Sequence, residues 1–303
     1  MAWGEDSADP FWKGIWVSPP LAGLEWARVP SDEPYQACFG CVAFGDLLVQ
    51  AGDTPGSAVV AGGPGLVAVG AVPGGSGGDR DAAVWTSSDG LTWDQVPHDE
   101  TVFGGDDVQE MWDVVAGGPG LIAVGLDLSG GDRIAAVWTS ADGLTWERVS
   151  DQESALGGPG DQQISAVVAT DSALVAVGHE NTTSDSNAVV WASVDGFTWE
   201  RVPDPESVFG DPDSAYQDMT DVAIVGSGLV AVGSDRSGGD SDAAVWVSVD
   251  GKTWFRVPHD EAAFGGPGDQ GMEAVAATDS GLVARLWDTE PAEDALLVSP
   301  PPE

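Results

Sequence analysis

Positive charge is scarce in this sequence. Lys and Arg together number 10 against 50 Asp and Glu, a formal net charge of −40, and lysine occurs only at Lys13 and Lys252. Such a surface repels phosphate backbones and anionic lipid, so no nucleic-acid and no membrane partner is expected. Cations, a cationic protein segment and neutral glycans stay open as partners, and solubility in a salty environment accounts for the charge with no ligand at all. Cysteine is confined to Cys38 and Cys41, too few for a disulfide scaffold. No stretch approaches 18 apolar residues, and the start, MAWGEDSADPFWKG, has no basic residues leading into an apolar run. Neither a membrane span nor a secretory signal is expected, which gives a cytoplasmic location by default and an extracellular one if a signal has been trimmed. No 3.6-residue apolar period is sustained, which excludes a helical repeat.

What is present is repetition. TSSDGLTW, from Thr86 to Trp93, returns as TSADGLTW at Thr139, ASVDGFTW at Ala192 and VSVDGKTW at Val247. Asp-Gly is a strong short hairpin signal, because glycine supplies positive φ freely and Asp hydrogen-bonds its own turn. Each copy reads as strand, tight turn, strand, with one Trp before the turn (Trp85, Trp138, Trp191, Trp246) and one after it. A second unit, two short Val/Ala runs around a Gly-rich turn, recurs as SAVVAGGPGLVAVG from Ser57, WDVVAGGPGLIAVG from Trp112, SAVVATDSALVAVG from Ser165, TDVAIVGSGLVAVG from Thr220 and EAVAATDSGLVARL from Glu273. Runs this short, bounded by Gly and Pro, read as strands buried on both faces.

One repeat is therefore four strands in about 53 residues, the period of a propeller blade. The expectation is an all-β chain: a five-bladed β-propeller of four-stranded antiparallel blades. Repeats fall at about 57–96, 112–149, 165–202, 220–257 and 273–299, with an insertion at 37–56 and an irregular leader at 1–23, so that 24–303 forms one monomeric domain. The last repeat lacks a fourth strand, and LEWARVP at 24–30 matches the fourth strands, so an N-terminal strand at 24–29 is expected to close the last blade and remove an open edge. Whether GIWVS at 14–18 or ALLVS at 295–299 supplies the third strand there is left open.

The repeated S-x-D-G-x-T-W resembles the Asp-box, or BNR repeat, of sialidase-like propellers, one residue shorter than the usual S-x-D-x-G-x-x-W. The residues that carry the resemblance are Asp89, Gly90 and Trp93; Asp142, Gly143 and Trp146; Asp195, Gly196 and Trp199; and Asp250, Gly251 and Trp254. It implies a structural turn on the face away from any active site.

The opposite face would carry the chemistry. The segment after each fourth strand has V-x-x-x-E, giving Glu33, Glu100, Glu153, Glu206 and Glu261, and Gln109, Gln162, Gln217 and Gln270 lie three residues before the next inner-strand run. These positions form candidate ligand-binding rings, and oxygen donors at Asp99, Glu100, Asp260 and Glu261 suit calcium. The alternative is that loop carboxylates bond backbone N–H groups and the following Phe103, Leu156, Phe209 and Phe264 anchor the loops. A zinc site from His98, His179 and His259 with neighbouring acids is a lesser reading. Cys38 and Cys41 read as a local disulfide or two buried thiols. Arg80, Arg133 and Arg236 in the inter-strand loops pair with acids or grip an anionic sugar.

Tyr35 and Tyr216 are the sole tyrosines, and a sialidase needs a Tyr nucleophile with an arginine cluster. The acids are equivalent from repeat to repeat, whereas a glycosidase needs one distinctive carboxylate pair. A non-catalytic binding propeller, with a glycan, a cationic protein segment or calcium at the acidic loop face, is the first expectation. A glycoside-processing enzyme and an assembly module are its rivals.

Overall fold

The computed structural model describes residues 27–28, 41–44, 47–50, 56–74, 79–129, 131–149, 155–158, 160–182, 185–204, 208–210, 216–237, 239–278, 281–289 and 295–298. Among them the chain is all-β apart from one helical turn. In chain order the strands are β1 (Ala27–Arg28), β2 (Cys41–Phe44), β3 (Leu47–Gln50), β4 (Ala58–Gly62), β5 (Gly65–Pro73), β6 (Arg80–Ser87), β7 (Asp94–Gln95), β8 (Gln109–Gly117), β9 (Gly120–Asp127), β10 (Ile134–Ser140) and β11 (Glu147–Arg148). They continue with β12 (Asp161–Ala169), β13 (Leu174–Asn181), β14 (Ser186–Ser193), β15 (Trp199–Arg201), β16 (Gln217–Val225), β17 (Gly228–Asp235), β18 (Asp242–Ser248) and β19 (Trp254–Arg256). After the helical turn α1 (Glu261–Phe264) come β20 (Gln270–Thr278), β21 (Gly281–Asp288) and β22 (Ala295–Val298).

Four antiparallel sheets follow chain order, β4 to β7, β8 to β11, β12 to β15 and β16 to β19. The last sheet has the order β1-β22-β21-β20, with Ala27 opposite Val298 and Arg28 opposite Leu297. Its third position is taken by Ala295–Val298; the segment 14–18 lies outside the described residues, as does Cys38. The insertion contributes a hairpin, β2 with β3, that packs beside β4.

Second strands are buried along nearly their whole length, as short Val/Ala runs require. First strands differ from expectation in two ways. They alternate buried and accessible residues over much of their length, since successive side chains point to opposite faces of a strand. They also begin about one turn of sequence earlier, at Gln109, Asp161, Gln217 and Gln270, since a β-bulge interrupts each ladder and with it the apolar pattern. The extra residues are Trp112, Ser165, Thr220 and Glu273.

The Asp-Gly turns are longer than a two-residue hairpin: residues 194–198 bridge the pair Ser193–Trp199, and 249–253 bridge Ser248–Trp254. Side chains build them. Gly90 N–H donates to Ser87 Oγ at 2.8 Å, while the N–H groups of Leu91 and Thr92 donate to Asp89 Oδ1 at 2.9 and 2.8 Å. The same bonds recur around Asp142, Asp195 and Asp250. Thr92 and Leu91 amides, with the Thr92 hydroxyl, hold the Asp89 carboxyl down at about 2. Gly90, Gly143, Gly196 and Gly251 sit at φ of 74°, 75°, 77° and 72°, where a Cβ is strained.

Neighbouring sheets are joined by buried tryptophan. Trp138, Trp191 and Trp246 are fully buried, and their indole N–H groups donate to Val102 O at 2.7 Å, Ala155 O at 2.7 Å and Val208 O at 2.8 Å. Each acceptor lies in the loop leaving the preceding sheet. Each ring buries on the order of 200 Å2, so these three positions combine apolar burial with a satisfied N–H. The loops themselves are pinned by Phe103, Leu156, Phe209 and Phe264, all buried.

First strands are joined by carboxylates. Asp113 Oδ2 accepts from Val167 N–H at 2.8 Å in the next sheet, and Asp221 Oδ2 accepts from Val275 N–H at 2.7 Å. Their other oxygens accept from Val114 and Val222 N–H, both at 2.8 Å. Burial raises Asp113 to about 6 against the pull of those amides; burial likewise raises Asp221 to about 7, with the Asp113 charge adding to it.

Two outcomes test this arrangement. Trp246→Phe leaves Val208 O without its indole donor and is expected to lower unfolding free energy by about 1–3 kcal/mol, read by denaturant titration. For the carboxyls, a folded-state value above the ordinary 3.8 means the folded chain binds protons more tightly than the unfolded one. Their contribution is therefore most favourable below that value and is lost as pH rises through about 6 to 7. Asp221→Asn should show a smaller fall in stability between about pH 5 and about pH 8 than the native chain; an unchanged fall would mean that Asp221 does not titrate there.

Candidate functional site

The first strands begin, and the third strands begin, at the same end of each sheet, opposite the Asp-Gly turns. Here the loops leaving the fourth strands meet the loops between second and third strands. Across successive sheets Arg80 Nη1 pairs with Glu110 Oε1 at 2.6 Å, Arg133 Nη1 donates to Gln163 Oε1 at 2.8 Å, and Arg236 Nη2 pairs with Asp269 Oδ2 at 3.3 Å. The three loop arginines are thus used between neighbouring sheets. Trp112 Nε1 donates to Glu110 Oε2 at 2.9 Å, Arg236 lies 5.7 Å from the Tyr216 ring centre, and Trp287 covers Gly271, where a Cβ would meet the indole at 2.7 Å. All three aromatics are partly exposed.

The glutamines are not at the surface. Gln109, Gln162 and Gln270 are fully buried and Gln217 nearly so. Gln109 Nε2 donates to Asp127 Oδ1 and to Ser129 Oγ, both at 2.9 Å; Asp127 pairs with Arg148, which sits 5.7 Å from the centre of the Trp138 ring. Gln217, Asp235, Arg256 and Trp246 repeat the chain of contacts, with Arg256 to Asp235 at 3.2 Å and 4.5 Å to the ring. In the last sheet Gln270 Nε2 donates to Asp288 Oδ1 at 3.2 Å. Glu180 and Arg201, 2.6 Å apart, stand in the same places in the third sheet. The recurrence of Gln in the sequence reflects an internal polar relay from first strand to fourth.

The glutamates divide. Glu100 and Glu261 are exposed at the loop face, while Glu33, Glu153 and Glu206 lie outside the described residues. Asp99 and Asp260, also exposed, are engaged by their own loops: Asp99 Oδ1 accepts from Thr101 N–H at 2.9 Å and from its hydroxyl at 2.8 Å, and Asp260 Oδ1 accepts from Ala262 N–H at 3.0 Å as the cap of α1. The groups brought together are others. His98 Nε2 lies 3.0 Å from Glu100 Oε2 and 3.7 Å from Asp81 Oδ2; His259 Nε2 lies 3.1 Å from Glu261 Oε2 and 3.9 Å from Asp242 Oδ2. Asp81 is the second residue of the third strand β6 and Asp242 the first of β18, some way in sequence from their histidines. Burial raises both aspartates, countered by the adjacent histidine and reinforced by nearby acids.

The sequence did hold a signal for these pairings. The repeats with V-P-H-D-E are the repeats with Asp four residues before the third-strand Trp, whereas Ile134 and Asn187 occupy that place in the other two complete repeats. In the third sheet the equivalent ground is a cleft of about 460 Å3 lined by Glu180, Asp185, Asn187, Arg201 and Asp204. Asp204 there accepts from Val208 and Phe209 N–H at 2.6 and 2.7 Å.

One grouping breaks the repetition. His179, nearly buried, lies 6.4 Å from the Tyr216 ring, and burial lowers its pKa, with Asp218 opposing and Arg133 adding to the shift. Burial also raises the Tyr216 hydroxyl. Arg285, which stands where other second strands carry Val, pairs with Glu273 at 2.5 Å.

No protein-family model matches the chain, and no curated protein matches it. Among solved structures, a GH32 β-fructofuranosidase from Bombyx mori is similar at 14% identity and a TM-score of 0.44, over 70% of this chain and 48% of that one. The chain spans about half the length of that enzyme. A glycosyl hydrolase from Bacteroides ovatus matches at 12% identity and a TM-score of 0.41 over 86% of each chain, and a family 117 glycoside hydrolase from Zobellia galactanivorans at 12% and 0.38 over 68% and 70%. At these values the likeness carries no weight for activity.

Because the glutamines are internal, Gln109→Leu should cost about 0.5–1.5 kcal/mol of stability by removing the amide donor shared by Asp127 and Ser129, Asp127 keeping the Ser129 N–H and hydroxyl. Denaturant titration measures the loss; stability unchanged from the native chain would return Gln109 to the candidate ligand groups.

Proposed function

We propose that the five sheets close into a five-bladed propeller, with β1 completing the last blade, and that its function is non-catalytic binding of glycans at the end where the first strands begin. The Asp-box-like turns then serve as structural elements at the far end. The observation that carries this reading is recurrence: Arg80 with Glu110 and Arg133 with Gln163 place a paired cation and acceptor at successive junctions. Binding sites repeat in this way, whereas catalysis needs one distinctive grouping. Trp112, Tyr216 and Trp287 add aromatic faces at the same end, suited to the C–H faces of sugar rings, while carboxylate and amide oxygens take the hydroxyls. Tyr and Trp are the side chains that combine an apolar body with a polar edge at such wet surfaces.

A glycoside-processing activity is the second reading, favoured by Asp113 and Asp221, two carboxyls held above the ordinary range mainly by burial, with the Asp113 charge adding to the rise of Asp221. Against it, each of their four oxygens accepts a backbone N–H, two of those bonds crossing to the next sheet, so both carboxyls already serve as structural links. Binding of the purified chain to an array of neutral and acidic oligosaccharides tests both. Retention of intact glycan, weakened roughly tenfold by Trp112→Ala, is expected. No retention of any glycan overturns the binding reading, and cleavage lost in Asp113→Asn establishes the second.

A further inference from the structure

Asp81, His98 and Glu100 present one ligand atom each within 4.8 Å of one another, and Asp242, His259 and Glu261 do the same in the fourth sheet. Convergence of acids at a surface is not by itself a site, and three further features set these apart. Asp81 is only 8% exposed, yet among the described residues none donates a hydrogen bond to its carboxylate; it faces His98 Nε2 instead. At 3.7 Å that contact is too long for a hydrogen bond, so a side chain left 12% exposed offsets its charge with a distant imidazole and no donor. Second, the glycines that follow the anchoring phenylalanines make the room: a Cβ on Gly104 would strike the Glu100 carboxyl at 2.8 Å, and one on Gly265 would strike Glu261 Oε2 at 2.6 Å. Third, the separations fit a metal. With bonds of about 2.0–2.2 Å to nitrogen and oxygen, a tetrahedral zinc site has edges of about 3.3 Å, and the observed 3.0 and 3.7 Å in one cluster and 3.1 and 3.9 Å in the other bracket that edge.

We propose that each chain binds two first-row divalent metal ions, zinc by ligand chemistry, through Asp81, His98 and Glu100 in one site and Asp242, His259 and Glu261 in the other. An imidazole nitrogen favours zinc over calcium, which takes six to eight oxygen ligands. Three protein ligands leave a fourth position to water or to an oxygen of a bound molecule. Ile134 in the second sheet offers no donor, and Asn187 in the third replaces the carboxylate by an amide. The sites stand independently of the glycan reading, since they are built wholly from this chain's side chains.

Calorimetric titration of metal-stripped protein with Zn2+ tests the assignment, in about 0.5 M salt so that diffuse attraction to the acidic surface is screened. Two equivalents are expected to bind, one in His98→Ala, one in His259→Ala and none in the double variant, with Ca2+ at equal concentration failing to compete. The native chain should gain melting temperature on adding Zn2+ and the double variant should not. His98 and His259 are partly exposed, so circular dichroism should find both variants folded; a variant that unfolds is replaced by His→Gln and the titration is judged on that protein. No binding by the native chain, an unchanged stoichiometry in the folded double variant, or displacement by an equal concentration of Ca2+ would each overturn the proposal.

Discussion

The structure depends on a tryptophan that belongs to one sheet and is satisfied by its neighbour. An indole brings more apolar surface than most side chains but carries an N–H that must not be buried unpaired. Trp138, Trp191 and Trp246 meet both demands by reaching a carbonyl in the loop of the preceding sheet. The loop is in turn held by Phe103, Leu156 or Phe209 beneath it. A sheet alone could neither cover the ring nor supply the acceptor, so side-by-side packing is built into the requirement for each Trp to be dry and bonded. The loops that carry the exposed groups are fixed by the same contact.

This coupling explains why the acids of the loop face differ in what they do despite similar sequence. Asp99 and Asp260 are spent on turning the chain, whereas Glu100 and Glu261 project where His98 and His259 stand. One residue of offset separates a capping group from a presented one. The arginines show the same economy: Arg148 and Arg256 lie over indoles and pair with the buried Asp127 and the half-buried Asp235, while Arg80 and Arg236 bridge sheets at the rim.

Much of the fold was legible because its signals are periodic. The Trp-bearing strands, the Gly-rich turns and the both-sides-buried second strands are local patterns repeated often enough to fix four-stranded units. What escaped depends on register or on contacts distant in sequence. Bulges at Trp112, Ser165, Thr220 and Glu273 hid the true starts of the first strands. Gln109 and its equivalents looked like a ligand ring because recurrence alone does not distinguish an internal relay from a surface. Asp81 and Asp242 were overlooked since only strand pairing brings them to their histidines.

Tandem repeats this alike face a hazard during synthesis, because a strand of one unit can pair with the corresponding strand of the next. The junctions alternate. Asp113 reaches Val167 and Asp221 reaches Val275, while Ala166 and Ala274 stand at the equivalent places in the first strands that receive them. A sheet order that skipped the third unit would set Asp113 beside Asp221, two carboxylates with no reason to adjoin. Likeness within the units sets the shape, and alternation between them opposes a wrong order.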